Sequence, residues 1–143
     1  MNKETQKKLT THIKEYEGLS NVLYKCTSNK LTIGYGRNLE DVGISKDEAE
    51  YLLNNDIDIA LDEVGEHFDL VNLPEPAQIV LVDMCFNMGI SKLLNFRRMI
   101  KAIEEERWDD SANELLDSKY AAQTKRRARM NASLLLSCAD LLD

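Results

Sequence analysis

A carboxylate, a thiol and a hydroxyl follow one another closely near the start of the chain: Glu17, Cys26 and Thr32, in the pattern Glu-x8-Cys-x5-Thr. Proton donation by a carboxyl group and nucleophilic or water-activating chemistry by a thiol and a hydroxyl are open to these residue types. Each also has an ordinary structural explanation. Glu17 suits a solvated helix-terminal charge, Cys26 a small packing residue and Thr32 a β-former. A negative charge at a helix C-terminus opposes the macrodipole, however, which argues that Glu17 serves another purpose.

The elements that must position these groups can be read from periodicity. Residues 3–17 carry Leu9, Ile13 and Tyr16 at helical spacing, with Gly18 as the stop, so a first amphipathic helix is expected to end at Glu17. From Val22 to Tyr35 short β-prone pieces, Val-Leu-Tyr and Leu-Thr-Ile, flank Cys-Thr-Ser-Asn-Lys, which reads as a small hairpin. On that geometry Glu17, Cys26 and Thr32 can converge at one edge of a small lobe, which spacing alone does not decide. Ser45 and Glu48 fit a capping box that opens a helix of about 20 residues, roughly 30 Å long and with an acidic outer face. Pro74 and Pro76 mark the next boundary. Residues 76–88 are apolar nearly all round and belong at the centre of a helical lobe, with Gly89 ending them. Further helices are expected at 92–106, 108–117 and 125–142, with Trp108 in the core.

Of 143 residues, 43% are hydrophobic and 30% charged, with 2 Pro and 6 Gly, a composition that fits a folded globule and neither a disordered nor a fibrous chain. The net charge of -7 argues against a uniformly basic surface for nucleic acid. Charge is unevenly spread: Glu40 to Asp83 holds 13 carboxylates and one base, Lys46, whereas Lys119 to Arg129 holds five bases and no acid. That basic run has no interleaved aromatic residue, as single-strand binding would need. The cysteines Cys26, Cys85 and Cys138 are odd in number and widely spaced, so neither a disulfide framework nor a paired metal site is indicated. His12 and His67 are isolated and expected at the surface. The polar start to Lys8 does not resemble a signal peptide, and the apolar run at 79–88 is too short to span a bilayer. Synthesis in a reducing cytoplasm is the expectation.

Several blocks carry a resemblance to a known family. They are Tyr16-Glu17-Gly18-Leu19 with Leu23-Tyr24-Lys25, then Leu31-Thr32-Ile33-Gly34-Tyr35-Gly36, then Ile44 to Glu50 with Asn55 to Asp58. Phe86-Asn87-Met88-Gly89, Arg107-Trp108-Asp109 and Gln123-Thr124 through Arg127-Ala128 follow in order. Jointly, across about residues 10–135, the chain resembles the phage T4-type lysozymes or endolysins of glycoside hydrolase family 24.

The resemblance implies a mainly helical α+β, two-lobed lysozyme-like fold. Residues 13–45 would form the hairpin lobe, 46–69 the interlobe helix and 70–143 the helical lobe, with helix 3–17 packing on it. It implies a muramidase that hydrolyses the β-1,4 bond between N-acetylmuramic acid and N-acetylglucosamine in peptidoglycan. Glu17 takes the position of the general acid, Thr32 that of the water-positioning hydroxyl, and Cys26 a position where many members have Asp and others Cys. Phe86, Asn38 and Arg127 are the expected substrate contacts, Arg127 also facing Glu17 across the cleft. Met99 and Glu114 lie where the family's sugar-binding groups are Ser and Asn. Arg37 stands where members often carry His, and an Arg37–Asp56 ion pair is expected in place of a His–Asp pair.

No cofactor and no metal are implied. The expected partner is peptidoglycan, with no nucleic acid and no membrane insertion, and the expected state is a monomer. The protein would be made in the host cytoplasm and act in the periplasm or wall after release. The rival readings are a non-catalytic lysozyme-like domain that binds glycan strands and a helical interaction module using the acidic face of 46–69.

Overall fold

The fold starts from local capping that the sequence announces. In a computed structural model, which describes residues 1–141, the Asn2 side chain accepts the Thr5 N–H at 2.8 Å and opens helix α1, Lys3–Glu17. Position 142 of the expected last helix, and the end of the 70–143 span, lie outside the described residues. The chain divides into two compact units, Met1–Tyr51 and Leu52 onward.

The first unit holds α1 and a three-stranded antiparallel sheet in the order β1-β2-β3, formed by Ser20–Lys25, Leu31–Gly34 and Arg37–Asn38. The expected hairpin is present, and a short third strand extends it. Tyr24 pairs with Thr32 and Thr32 with Asn38, so Thr32 lies at the middle of the sheet. An irregularity in the pairing separates Ser20 and Tyr24. Helix α2, Lys46–His67, begins in this unit with the expected capping box: Glu48 N–H donates to Ser45 Oγ at 3.1 Å, and Ser45 N–H donates to Glu48 Oε1 at 2.9 Å. These reciprocal bonds satisfy two amides that a helix start leaves unpaired.

In the second unit Pro76 sits in the first turn of α3, Glu75–Met88, where its missing N–H removes no helical bond. The chain then forms α4 (Ile90–Leu94), α5 (Arg97–Glu104), α6 (Trp108–Leu116), α7 (Lys119–Thr124) and α8 (Arg126–Ser137). The expected helix at 92–106 is thus interrupted. Asn95 and Phe96 close α4 with 3-10-type bonds and restart the chain as α5. The expected 125–142 helix likewise ends at Ser137 and passes into a 3-10 turn.

Helix α6 packs against both α5 and α8. Leu81, Met84, Leu93, Met99, Ile103, Leu115 and Leu135 are fully buried, and Trp108 joins them in the core, as expected. Burying side chains of this size is worth about 1.5–3 kcal/mol each, which is what holds these short helices together. The architecture is a mainly helical α+β fold with eight α-helices and one small antiparallel sheet among the described residues.

Candidate active site

Two side chains on the last turns of α1 meet the turn between β2 and β3. Lys14 and Glu17, three residues apart, share a helix face. Lys14 Nζ lies 5.2 Å from the centre of the Tyr35 ring. Glu17 lies against Gly36: a Cβ built on Gly36 would stand 2.6 Å from Glu17 Oε2 and 2.9 Å from Glu17 Cδ. Gly36 also has φ +82, a conformation other residues rarely adopt. The backbone conformation therefore selects glycine here, and a larger residue would in addition displace the Glu17 carboxylate from its place against the turn. The Glu17 side chain is exposed, so a reacting group can approach it.

Cys26 and Thr32 meet at the β1–β2 connection. The Thr32 hydroxyl donates to the Lys30 carbonyl at 2.9 Å, and the Cys26 N–H donates to the same oxygen at 3.0 Å. Thr32 is buried at 2% exposure despite its place in a strand whose neighbour Leu31 is exposed. The Cys26 thiol, half-buried, is held below its ordinary pKa, first by the Lys30 backbone N–H, then by that of Ser28, with the Thr32 hydroxyl adding to them. Hydrogen bonds that favour the charged form raise the thiolate fraction near neutral pH, and the thiolate is the reactive species.

Asn38, the other expected substrate contact of this unit, pairs with Thr32 in the sheet, but its amide is committed locally. Its Oδ1 accepts the Asp41 N–H at 3.1 Å and its Nδ2 donates to Asp41 Oδ2 at 3.0 Å. Arg37 corrects an expectation: its partner is Glu48 rather than Asp56. The guanidinium makes bonds of 2.9 and 2.7 Å to the Glu48 carboxylate. Glu48 lies in the first turn of α2, on the residue that already closes the capping box, and the short loop after β3 brings Arg37 to it. Arg37 holds the Glu48 pKa down to about 2, with the Ser45 amide as the next contribution.

In the second unit, Phe86 is 42% exposed and forms a wall of an apolar groove of about 510 Å3, with Ile79 and Val82 of α3, Leu53 and Ile57 of α2, and Arg127 of α8. Arg127 is engaged by Asp83 in α3: Nε donates to Oδ2 at 3.0 Å and Nη2 to Oδ1 at 2.5 Å. Asn131 donates to the same carboxylate at 2.9 Å and lies 3.3 Å from the Tyr120 hydroxyl. Burial alone would raise the Asp83 pKa, but the hydrogen bonds from Arg127 and Asn131 outweigh it and hold the carboxyl below its usual range. Met99 is a core residue at 1% exposure, which removes it as a surface contact. His12 and His67 are exposed.

Three residues of this arrangement are not marked as site residues by the sequence alone. Asp83 carried a signal, since a carboxylate inside an otherwise apolar helix must find a cation. The cap role of Glu48 is legible in the sequence and its second partner is not. Gly36 marks a bend in the sequence, while its closeness to Glu17 is a tertiary fact.

The fold and these groups define a small mainly helical α+β protein with a carboxyl at a helix end, seated on the turn of a sheet that carries a thiol and a hydroxyl. Residues 14–131 match the phage lysozyme family, and the chain belongs to it. Among curated proteins it is similar to "Probable T4-type lysozyme 1" of Dictyostelium discoideum, at 28% identity over 96 residues, 64% of this chain and 56% of that protein. It is also similar to "Probable T4-type lysozyme 2" of the same organism, at 33% over 89 residues, 59% of this chain and 52% of that protein. The aligned stretch spans little more than half the length of either relative.

Proposed function

We propose that the chain is a muramidase that hydrolyses the β-1,4 bond between N-acetylmuramic acid and N-acetylglucosamine in peptidoglycan, with Glu17 as general acid. The observation that carries the reading is the seating of the Glu17 carboxylate on Gly36, within a match to the phage lysozyme family that spans Glu17, Cys26 and Thr32 alike. Glycoside cleavage needs a proton on the leaving oxygen while positive charge develops on the departing sugar. Glu17 supplies the proton. A water then adds to the sugar carbon: on the inverting route it comes from the side of Cys26 and Thr32 and gives its proton to the Cys26 thiolate, and on the retaining route it comes from the opposite face and gives its proton to the Glu17 carboxylate. The Thr32 hydroxyl orients the water of the inverting route. The Cys26 thiolate either assists it directly, which inverts the anomeric centre, or attacks the carbon first and is displaced by the water, which retains it. By resemblance to the family, Arg127 and Phe86 are further candidates for contact with the glycan, and the basic run from Lys125 to Arg129 favours an anionic strand. The site acts in the periplasm or wall, as a monomer.

Digestion of purified Gram-negative sacculi tests this, with mass spectrometry of the released muropeptides and proton NMR of the fresh reducing end. N-acetylmuramic acid at the new reducing end is the expected product, and the first anomer formed reports the role of Cys26. A protein that sediments with the wall and leaves it opaque would be a glycan binder instead.

A further inference from the structure

One carboxylate closes the loop that leads from the sheet into α2. Glu48 receives both outer nitrogens of Arg37, Nη1 at 2.9 Å and Nη2 at 2.7 Å, and its Oε1 also accepts the Ser45 N–H. Arg37 Nη1 donates in addition to the Gly43 carbonyl at 3.0 Å. The pair therefore ties strand β3, the segment 43–45 and the first turn of α2 to one another. Strand β3 is only two residues long and meets β2 through the pairs Thr32–Asn38 and Ile33–Arg37. A strand this short has few ladder bonds to fix its leading end. Immediately before that end, in the turn, is Gly36, the residue against which the Glu17 carboxylate lies.

We propose that Arg37 and Glu48 are positioning residues for the general acid: their two-pronged pair holds the Tyr35–Gly36 turn where the Glu17 carboxylate can be seated. This rests on the reading of Glu17 as the acid. The planar fork of Arg37 fixes both direction and distance, which a Lys ammonium does not. A displacement of the turn by about 1 Å is enough to cost a hydrolase a large factor in rate. Glu48 also caps α2, so its removal would mix two effects. Arg37→Met breaks the clamp and leaves the cap, whereas Ser45→Ala takes away the hydroxyl of the cap and leaves the clamp.

The test uses the full chain and a peptidoglycan oligosaccharide of defined length. Arg37→Met is expected to lower kcat about tenfold or more with KM within about twofold, and Arg37→Lys to recover only part of the loss. Ser45→Ala is expected to lower Tm and keep kcat. In parallel, the Gly36 amide and the Glu17 side-chain carboxyl are followed by NMR: both resonances move in Arg37→Met and stay in Ser45→Ala. Arg37→Gln replaces the Met variant if that one does not fold. The spectrum does not depend on the native chain being an enzyme, so an inert native protein would defeat the muramidase reading while the clamp is still judged by the resonances. Native kcat in Arg37→Met, unmoved Gly36 and Glu17 resonances, or an equal loss of kcat in Ser45→Ala would overturn the proposal.

Discussion

The Glu17 carboxylate occupies the space that a side chain on Gly36 would need, 2.6 Å from the place of a Cβ. Gly34 offers a natural comparison, because it too has positive φ, at +70, but open space where a Cβ would go. Alanine at either position is expected to cost about 1–2 kcal/mol for the backbone alone. Only Gly36→Ala also pushes Glu17, whose carboxylate is the far end of a flexible chain and moves readily. Muralytic rate should fall about a hundredfold in Gly36→Ala and far less in Gly34→Ala, at similar Tm. Equal rates for the two variants would show that the Glu17 seat is not needed.

The three cysteines should separate by reactivity. Cys26 is half-buried with a lowered pKa, whereas burial raises those of Cys85 and Cys138. A lowered pKa means more thiolate at a given pH, so alkylation of Cys26 should reach half its maximal rate below the ordinary thiol value. Native protein should titrate one thiol with a chromogenic disulfide and three after unfolding. Thr32→Val should move the Cys26 midpoint upward, because the Thr32 hydroxyl turns from the Lys30 carbonyl to the thiolate once the thiol ionises. A midpoint that does not move would remove Thr32 from the neighbourhood of the thiol.

Asp83 links stability to pH in the second unit. Its folded-state pKa is depressed, so its contribution is present above the unfolded value of about 3.9 and disappears as pH falls through the folded one. Asp83→Asn should therefore destabilise by about 1–3 kcal/mol near neutral pH, with the difference shrinking in acid. Urea unfolding of both proteins across that range checks it. A gap of constant size would mean that packing, rather than the charge on Asp83, sets the cost.

Glu48 gives a second acid signature, in the first unit. Held by Arg37, its carboxyl should titrate at about 2 when followed by NMR, and should return toward the ordinary glutamate range in Arg37→Met. The same sign rule applies: the stabilisation stands above the ordinary glutamate pKa and is lost only as pH falls toward about 2. A normal titration in the native chain would contradict the ion pair.

Local features were legible in the sequence because local chemistry sets them. The Asn2 and Ser45 caps, the helix ending at Glu17 and the apolar helix from Glu75 to Met88 follow from periodicity and from amides that need acceptors. The break at Asn95 is not legible, since apolar spacing runs on through it and does not register the 3-10-type bonds that close α4. Partner choice was the other blind spot. Helix α2 offers Arg37 several acids, Asp47, Glu48, Glu50 and Asp56 among them, and no spacing rule marks Glu48 as the partner. Arg127 and Asp83 are 44 residues apart, a separation at which no spacing rule operates. The roles of Glu17, Cys26 and Thr32 came from family resemblance, and geometry supplied the reason for the glycine beside Glu17.

The most direct measurement is hydrolysis of purified sacculi by native protein and Glu17→Gln, followed by release of reducing ends, with folding checked by circular dichroism. The native chain is expected to release muropeptides ending in N-acetylmuramic acid, while Glu17→Gln keeps its fold and still sediments with the wall but releases none above background. Native-like release from Glu17→Gln would contradict the assignment of the proton donor and the account built on it.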